Sequence, residues 1–290
     1  MVRKILKWTG IILGAVLILL GAVYAYVVFD TQSRAEKIYE VKLHKLIVTA
    51  DSASIARGEH IAENRGCKGC HGADLSGGRA FADDQSPIGI LYSSNITSGK
   101  GGINYSDEDW VRALRHGLGK DNRSLWFMPS DEIYHISNAD MADLISYVKT
   151  RPAVDKTNPE KSLKPLGRIL TFMGEFPLFP AEIIDHNATY VDVVTPAITP
   201  EYGKYLAVSC TGCHTTSLKG GPPHDPKGLP FPDISSTGNL GKWNADDFIA
   251  AIRTGKKPDG KLLRDEMPWK DFTYTDDELR AIYSYLHGLQ

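Results

Sequence analysis

The chain of 290 residues is poor in sulfur: it has four cysteines and five methionines. It also lacks any excess of positive charge, since 33 Lys and Arg stand against 35 Asp and Glu for a formal net charge of −2. That balance leaves no broad basic surface and argues against nucleic acid as a partner. No strong alternating strand pattern occurs, which points away from a sheet protein. After residue 29 there is no second apolar run long enough to act as an anchor. The scarcity of cysteine also bears on fold stability. A chain this long can bury a core without covalent staples, and all four cysteines fall in C-x-x-C pairs, a spacing seldom used for purely structural disulfides. What remains is ordinary globular composition, 42% hydrophobic and 23% charged.

The first 29 residues differ from the rest. Trp8 to Phe29 is a run of 22 residues without a charge. As a helix it spans roughly 33 Å at ~1.5 Å per residue, enough for a bilayer core of about 30 Å. Arg3, Lys4 and Lys7 precede it, so the positive-inside bias places the N-terminus in the cytoplasm and the body outside, across the membrane. A cleaved signal peptide, cut after Val23-Tyr24-Ala25, is the alternative. The run exceeds the ~7–15 residues of a signal h-region, which favours a retained anchor.

The body carries one motif twice. Residues 66–72 read GCKGCHG and residues 210–215 read CTGCHT, the second C-x-x-C-H starting 143 residues after the first. The surroundings repeat as well. Asn95-Ile96-Thr97 resembles Asp233-Ile234-Ser235. SDEDWVRALRHGLGKDNRSLWFMP (106–129) lies alongside NADDFIAAIRTGKKPDGKLLRDEMP (244–268), and SNADMADLISYVKT (137–150) alongside TDDELRAIYSYLHG (275–288). Ile96 precedes Met128 by 32 residues and Ile234 precedes Met267 by 33. This is a duplicated domain. Ser106, Ser137, Asn244 and Thr275 each have an acidic residue three positions on, a helix-start signature followed by apolar residues at helical spacing. Further helices are expected at 55–64 and 201–208, leading into the cysteine pairs, with Gly- and Pro-rich loops at 72–102 and 220–241. The expected layout is all-α: an anchor at 1–30, a juxtamembrane linker at 31–51, domains at 52–152 and 200–290, and a connector at 153–199. The connector is too apolar for a flexible tether. It is expected to pack over one or both domains and fix their angle, with a docking surface for a partner or for the membrane as the alternative.

A zinc ribbon would need both cysteine pairs at one tetrahedral site, and pairs at matching places in two domains are badly placed for that. A thioredoxin-like pair needs a strand–helix context that is not visible, and neither explains the histidine after each pair. Haem attachment explains all three residues: Cys67 and Cys70, and Cys210 and Cys213, would form thioethers, and His71 and His214 would ligate the irons. The distal ligands are then Met128 and Met267, each followed by proline, because a thioether is a soft uncharged ligand that raises the reduction potential. Met141 and Met173 are read as core packing. His44 and His60 have no special context, and His116, His135, His186, His224 and His287 are read as packing or surface residues. Trp126 and Trp269 are expected near the porphyrin edges.

With these motifs in view, the chain resembles the membrane-bound multi-haem cytochrome c subunits of bacterial periplasmic alcohol, aldehyde and gluconate dehydrogenases. The resemblance runs from about residue 52 onward, through CKGCHG with LSGGRAF, SSNIT, SDEDWVRALRHG, the FMP loop, MADLISYVKT, the connector PLGRILTFMGEFPLF, CTGCHT and DEMP. It implies two tandem class I cytochrome c folds, two covalently bound haem c groups, and His71 with Met128 and His214 with Met267 as axial ligands. That family commonly carries three C-x-x-C-H motifs and this sequence has two, so the step served by a third haem would differ. The function implied is electron transfer at the membrane surface, between a dehydrogenase or quinol-oxidising complex and a terminal oxidase or other acceptor. A peroxidase-like dihaem enzyme would need one iron with a displaceable distal ligand, and a docking subunit stabilised by its haems is a third reading.

Overall fold

The computed structural model describes residues 1–223 and 228–290, so His224 lies outside the described residues. The chain opens with α1 (Val2–Glu36), a helix of 35 residues that is long and apolar enough to cross a membrane by length and composition. A first helical domain follows, with α2 (Ser52–Asn64), α3 (Cys67–His71), β1 (Ala80–Ala82), β2 (Gly89–Tyr92), α4 (Asp107–His116), α5 (Ser130–Ile133) and α6 (Asn138–Lys149). The connector adds β3 (Ser162–Leu163) and α7 (Pro165–Met173). The second domain holds α8 (Pro200–Ala207), α9 (Thr211–His214), α10 (Ala245–Thr254) and α11 (Asp276–Gly288).

The helix starts follow the sequence signals. Ser106, Asn244 and Thr275 form reciprocal capping boxes with Asp109, Asp247 and Glu278, satisfying orphan N–H groups at the first turns of α4, α10 and α11. Asp51 caps α2 by accepting from Ala53 and Ser54. In each domain the first long helix crosses the last at a glycine. A Cβ on Gly58 would lie 2.0 Å from the Asp143 carbonyl oxygen, and one on Gly203 would lie 1.9 Å from that of Ala281. Only glycine lets the helices of each pair, α2 with α6 and α8 with α11, approach so closely. Around these crossings the cores form separately: Trp110, Met141, Leu144, Ile145 and Tyr147 in the first domain, and Leu240, Phe248, Leu279, Ile282 and Leu286 in the second.

Two features depart from the sequence reading. The loop expected at 72–102 contains β1 and β2, which join β3 in an antiparallel sheet of order β1-β2-β3. Its strands of two to four residues are too short to leave an alternating pattern. The stretch expected as a juxtamembrane linker is also structured. Its first six residues continue α1 to Glu36, and Leu43, Leu46 and Val48 pack on the first core.

The connector folds back over the first domain. Asn95 donates to the Val154 carbonyl at 2.7 Å, Asn138 and Ala139 donate to Val191 and Asp192 at 2.9 Å, and the Arg115 guanidinium sits 3.7 Å from the Tyr190 ring centre. The relative placement of the domains is held by direct contact as well. Tyr205 of α8 accepts from the Ser137 backbone at 2.9 Å and donates to Asp140, entering the start of α6 where a reciprocal capping box would otherwise close. His60 of α2 in turn meets Glu278, the capping-box acid of α11, at 2.9 Å. His60 and Tyr205 each lie two residues beyond their crossing glycine, so the domains exchange equivalent side chains into equivalent helix starts.

Candidate haem-binding sites

Each cysteine pair and its histidine occupy a short helix. Cys67, Cys70 and His71 lie on α3; Cys213 and His214 lie on α9, with Cys210 as its N-cap. None of the four cysteines is in a disulfide, and burial pushes the Cys67 and Cys210 thiols up to about 12. Such thiols stay protonated and are poor redox nucleophiles. Among the described residues, no group of three His, Cys, Asp or Glu side chains could hold a metal ion.

The two histidines are held alike. His71 Nδ1 lies 2.8 Å from the Ser94 carbonyl oxygen and His214 Nδ1 lies 2.8 Å from that of Pro232. A carbonyl only accepts, so each Nδ1 carries the proton and each Nε2 presents a lone pair, the state a ligating imidazole needs. Burial lowers the pKa of both rings and keeps them neutral. Ser94 and Pro232 immediately precede the repeated Asn95-Ile96-Thr97 and Asp233-Ile234-Ser235. The sequence repeat marked this spot without revealing that its backbone orients the histidines.

The loop after each motif is also duplicated. The His71 and His214 carbonyls accept from Gly77 and Gly220 at 2.7 and 3.1 Å. Leu75 and Leu218, both fully buried, sit in the left-handed region at φ 60° and 59°. That conformation costs a non-glycine residue about 1–3 kcal/mol. Its presence at the same point of both copies ties the strain to the motif. The Met-Pro segments match too, with Pro129 at φ −77°, ψ 57° and Pro268 at φ −81°, ψ 45°.

In the second domain Cys210, Cys213, His214 and Met267 line one cavity of about 380 Å³, walled by Phe248, Ile252, Leu279 and Ile282. Mostly apolar walls with a few convergent polar groups are the usual form of a cofactor site. In the first domain Cys67 and Met128 pack against the same core cluster, and His71 is buried at 8% exposure. In each domain these cysteines would hold a haem through two thioethers, and the histidine and methionine would ligate its iron. Trp126 packs on Phe179 and under Lys161, and Trp269 lies against Gly255. His116 is buried with Nδ1 3.2 Å from His186 Nδ1.

Two side chains that the sequence did not single out lie between the motifs. The Arg65 guanidinium donates to the Tyr205 carbonyl at 2.9 Å and acts electrostatically on both Cys67 and Cys210. Glu132, on α5, acts on both Cys70 and Cys213, and its Oε1 lies 2.9 Å from where a Cβ on Gly212 would stand. Burial, reinforced by Asp131 and opposed by Arg65, raises the Glu132 carboxyl to about 7. The two attachment helices therefore share their charged neighbours.

The cytochrome c family model matches residues 55–152 and 200–290, and the chain belongs to that family. It is an all-α protein of two tandem cytochrome c domains behind an N-terminal apolar helix, and such domains carry covalently bound haem c. Among similar proteins is the cytochrome c subunit of alcohol dehydrogenase (quinone) from Gluconobacter oxydans, 28% identical over 285 residues, covering 83% of this chain and 55% of the relative. The cytochrome subunit of fructose dehydrogenase from Gluconobacter japonicus is 30% identical over 266 residues, covering 83% and 54%. A diheme cytochrome c-type protein from Cereibacter sphaeroides is 28% identical over 267 residues, covering 80% and 84%. The chain spans about half the length of the two dehydrogenase subunits.

Proposed function

We propose that this chain is a membrane-anchored dihaem c-type cytochrome, exported to the periplasmic side of the inner membrane. It would pass electrons from a dehydrogenase or quinol-oxidising complex to a terminal oxidase or another acceptor, without substrate chemistry of its own. In this reading Cys67, Cys70, Cys210 and Cys213 are the thioether sites, and His71 with Met128 and His214 with Met267 are the axial ligands. A haem iron so held supplies a one-electron couple between ferric and ferrous states.

The observation that carries the reading is the duplication of the complete set: a buried histidine fixed through Nδ1 to a backbone carbonyl, two cysteines, and a methionine at the same core, in both copies. A closed pair of ligands suits outer-sphere transfer, since nothing needs to bind the metal. The shared neighbours of α3 and α9 support passage of electrons from one domain to the other. The dehydrogenase subunits among its relatives support a dehydrogenase as the donor. The α1 helix, with Arg3, Lys4 and Lys7 before its apolar run, supports a retained anchor with a cytoplasmic N-terminus.

The test is an absorption spectrum of the purified reduced protein, with haem counted per chain, before and after carbon monoxide. Two covalent haems and an unchanged spectrum are expected. A carbon monoxide shift on one haem would replace the electron carrier by the dihaem enzyme, and a haem count below two would remove one of the motifs from the assignment.

A further inference from the structure

Helix α7 carries an apolar stripe that the protein leaves bare. Leu166, Ile169, Phe172 and Met173 are 40%, 37%, 40% and 63% exposed. Their spacing of three or four residues puts them on one face. The opposite face is committed to the protein: Gly167 and Thr171 are buried, and Arg168 donates to Thr31 at 2.8 Å and reaches Gln32 at 3.3 Å. Met173, expected from the sequence to fill a core, points away from every core.

The position of the stripe along α1 identifies what covers it. Arg168 meets α1 at Thr31 and Gln32, in the polar collar that starts with Asp30, the first charge after the apolar run. Phe172 meets α1 at Tyr26, ring centres 5.8 Å apart and edge to face. Tyr26 lies five residues before Thr31, or roughly 7 Å along the helix. Helix α7 therefore descends past the collar to the level of the apolar run. The chain then reverses at Gly174, in the left-handed region at φ 80°, and returns to bury Leu178 and Phe179 against the first domain. The bare stripe is continuous with the exposed apolar flank of α1 at Val23, Tyr26 and Phe29.

We propose that α7 is a membrane-dipping element: its Leu166, Ile169, Phe172 and Met173 face enters the outer leaflet beside α1, to the depth of the headgroup–acyl boundary. This rests on the reading of α1 as a bilayer span. An amphipathic helix of this kind buries its apolar face about 5–10 Å into that boundary. Arg168 and Arg34 sit at the collar, where their charged ends stay among headgroups while their stems line the apolar layer. The first domain is then held on the membrane at two points, α1 and α7, rather than swinging from one helix.

The full-length, haem-loaded protein in vesicles of mixed zwitterionic and anionic phospholipid provides the test. Its native cysteines are consumed as thioethers, so a nitroxide can be placed at Met173→Cys. Reference labels go at Leu17→Cys in mid-α1 and at Asp259→Cys on the second domain. With the haems in the air-stable ferric state, collision with oxygen, which concentrates in lipid, is compared with collision with a water-soluble nickel chelate. The expected result is an oxygen-to-nickel ratio several-fold higher at Met173 than at Asp259, and below that at Leu17. A Met173 label that meets nickel freely, while Leu17 reports deep lipid, overturns the proposal and leaves the anchor intact. A Met173 label shielded from both probes assigns the stripe to a protein partner and overturns the lipid assignment. Nickel access at Leu17 removes the anchor, and this proposal with it.

Discussion

The two cytochrome domains agree where they would hold haem and differ where they meet everything else. Both carry the left-handed leucine, the carbonyl that fixes the histidine and the Met-Pro turn in matching geometry. The first is also wrapped by a sheet, the connector and the end of α1, so that Arg115 and His116 at the end of α4 are each 1% exposed. Their counterparts Arg253 and Thr254, at the end of α10, stand exposed. Counted from the crossing glycine, the first cysteine comes nine residues on in the first domain, from Gly58 to Cys67, and seven in the second, from Gly203 to Cys210. Arg65, in the longer stretch, reaches across to Tyr205. Duplication preserved the cofactor frame, and the asymmetry was built around it: one copy is wrapped by the connector and the end of α1, and the other is more exposed.

The sharpest way to break this comparison is at the methionines. Met128→Ala and Met267→Ala should each open one haem to carbon monoxide. Each should also lower that haem's potential by an appreciable part of the roughly 0.8 V over which axial ligands act. A redox titration that found both haems equally altered by one substitution would remove the idea of two independent frames. Next in size is the crossing glycine. Gly58→Ala and Gly203→Ala force backbones apart in equivalent places and should each cost about 3 kcal/mol or more, read as loss of thermal stability. A tolerated substitution in one domain alone would mean that its helices are less constrained than their geometry implies.

The seam between the domains gives smaller effects. Glu132 holds its proton until about pH 7. Above that it adds a negative charge near both attachment helices and favours the ferric states. Potentials should therefore fall as pH rises through 7, on the order of tens of millivolts at an effective dielectric near 20. Glu132→Gln should flatten that dependence, and an unchanged slope would place the proton elsewhere. The smallest effect is expected at His60. Glu278 raises its pKa, against a smaller opposing effect of burial. A raised histidine contributes its stabilisation fully below its unfolded value and loses it as pH climbs through the raised one. Docking of the domains should thus weaken from about pH 6.5 upward, by about 1 kcal/mol once solvent screening is allowed for. Melting curves of the parent and His60→Ala should converge at high pH; a gap that persists there would mean the imidazole acts by packing.

Much of this could be read from the sequence because it is written in short spacings. C-x-x-C-H, Met-Pro and the capping boxes all lie within a few residues, and α4, α6, α10 and α11 begin at the expected caps. What could not be read depends on distant residues. His60 finds its partner 218 positions away, and nothing local distinguishes it from a surface histidine. Aligning the repeats on their cysteines hides the equivalence of His60 and Tyr205, because the first cysteine lies two residues further from the crossing glycine in the first domain than in the second. The connector's apolar content pointed to packing, but composition alone does not tell a buried face from a bare one. Leu166 and Leu178 are the same residue type in the same segment, one exposed and the other buried.

One contact also sets an order of assembly. The backbone of Phe127, held at φ 57°, donates to the Leu178 carbonyl at 2.8 Å, and its ring lies 5.3 Å from that of Phe176. The residue next to Met128 is thus fastened by chain that comes about fifty positions later. During synthesis, the first domain can form its helices and offer its cysteines before the segment that braces its methionine loop has emerged. The Met267 loop packs on the core of its own domain, with Leu240, Phe248, Leu279 and Ile282. The copy made first is therefore finished late, and closure of its loop waits for the connector to fold back.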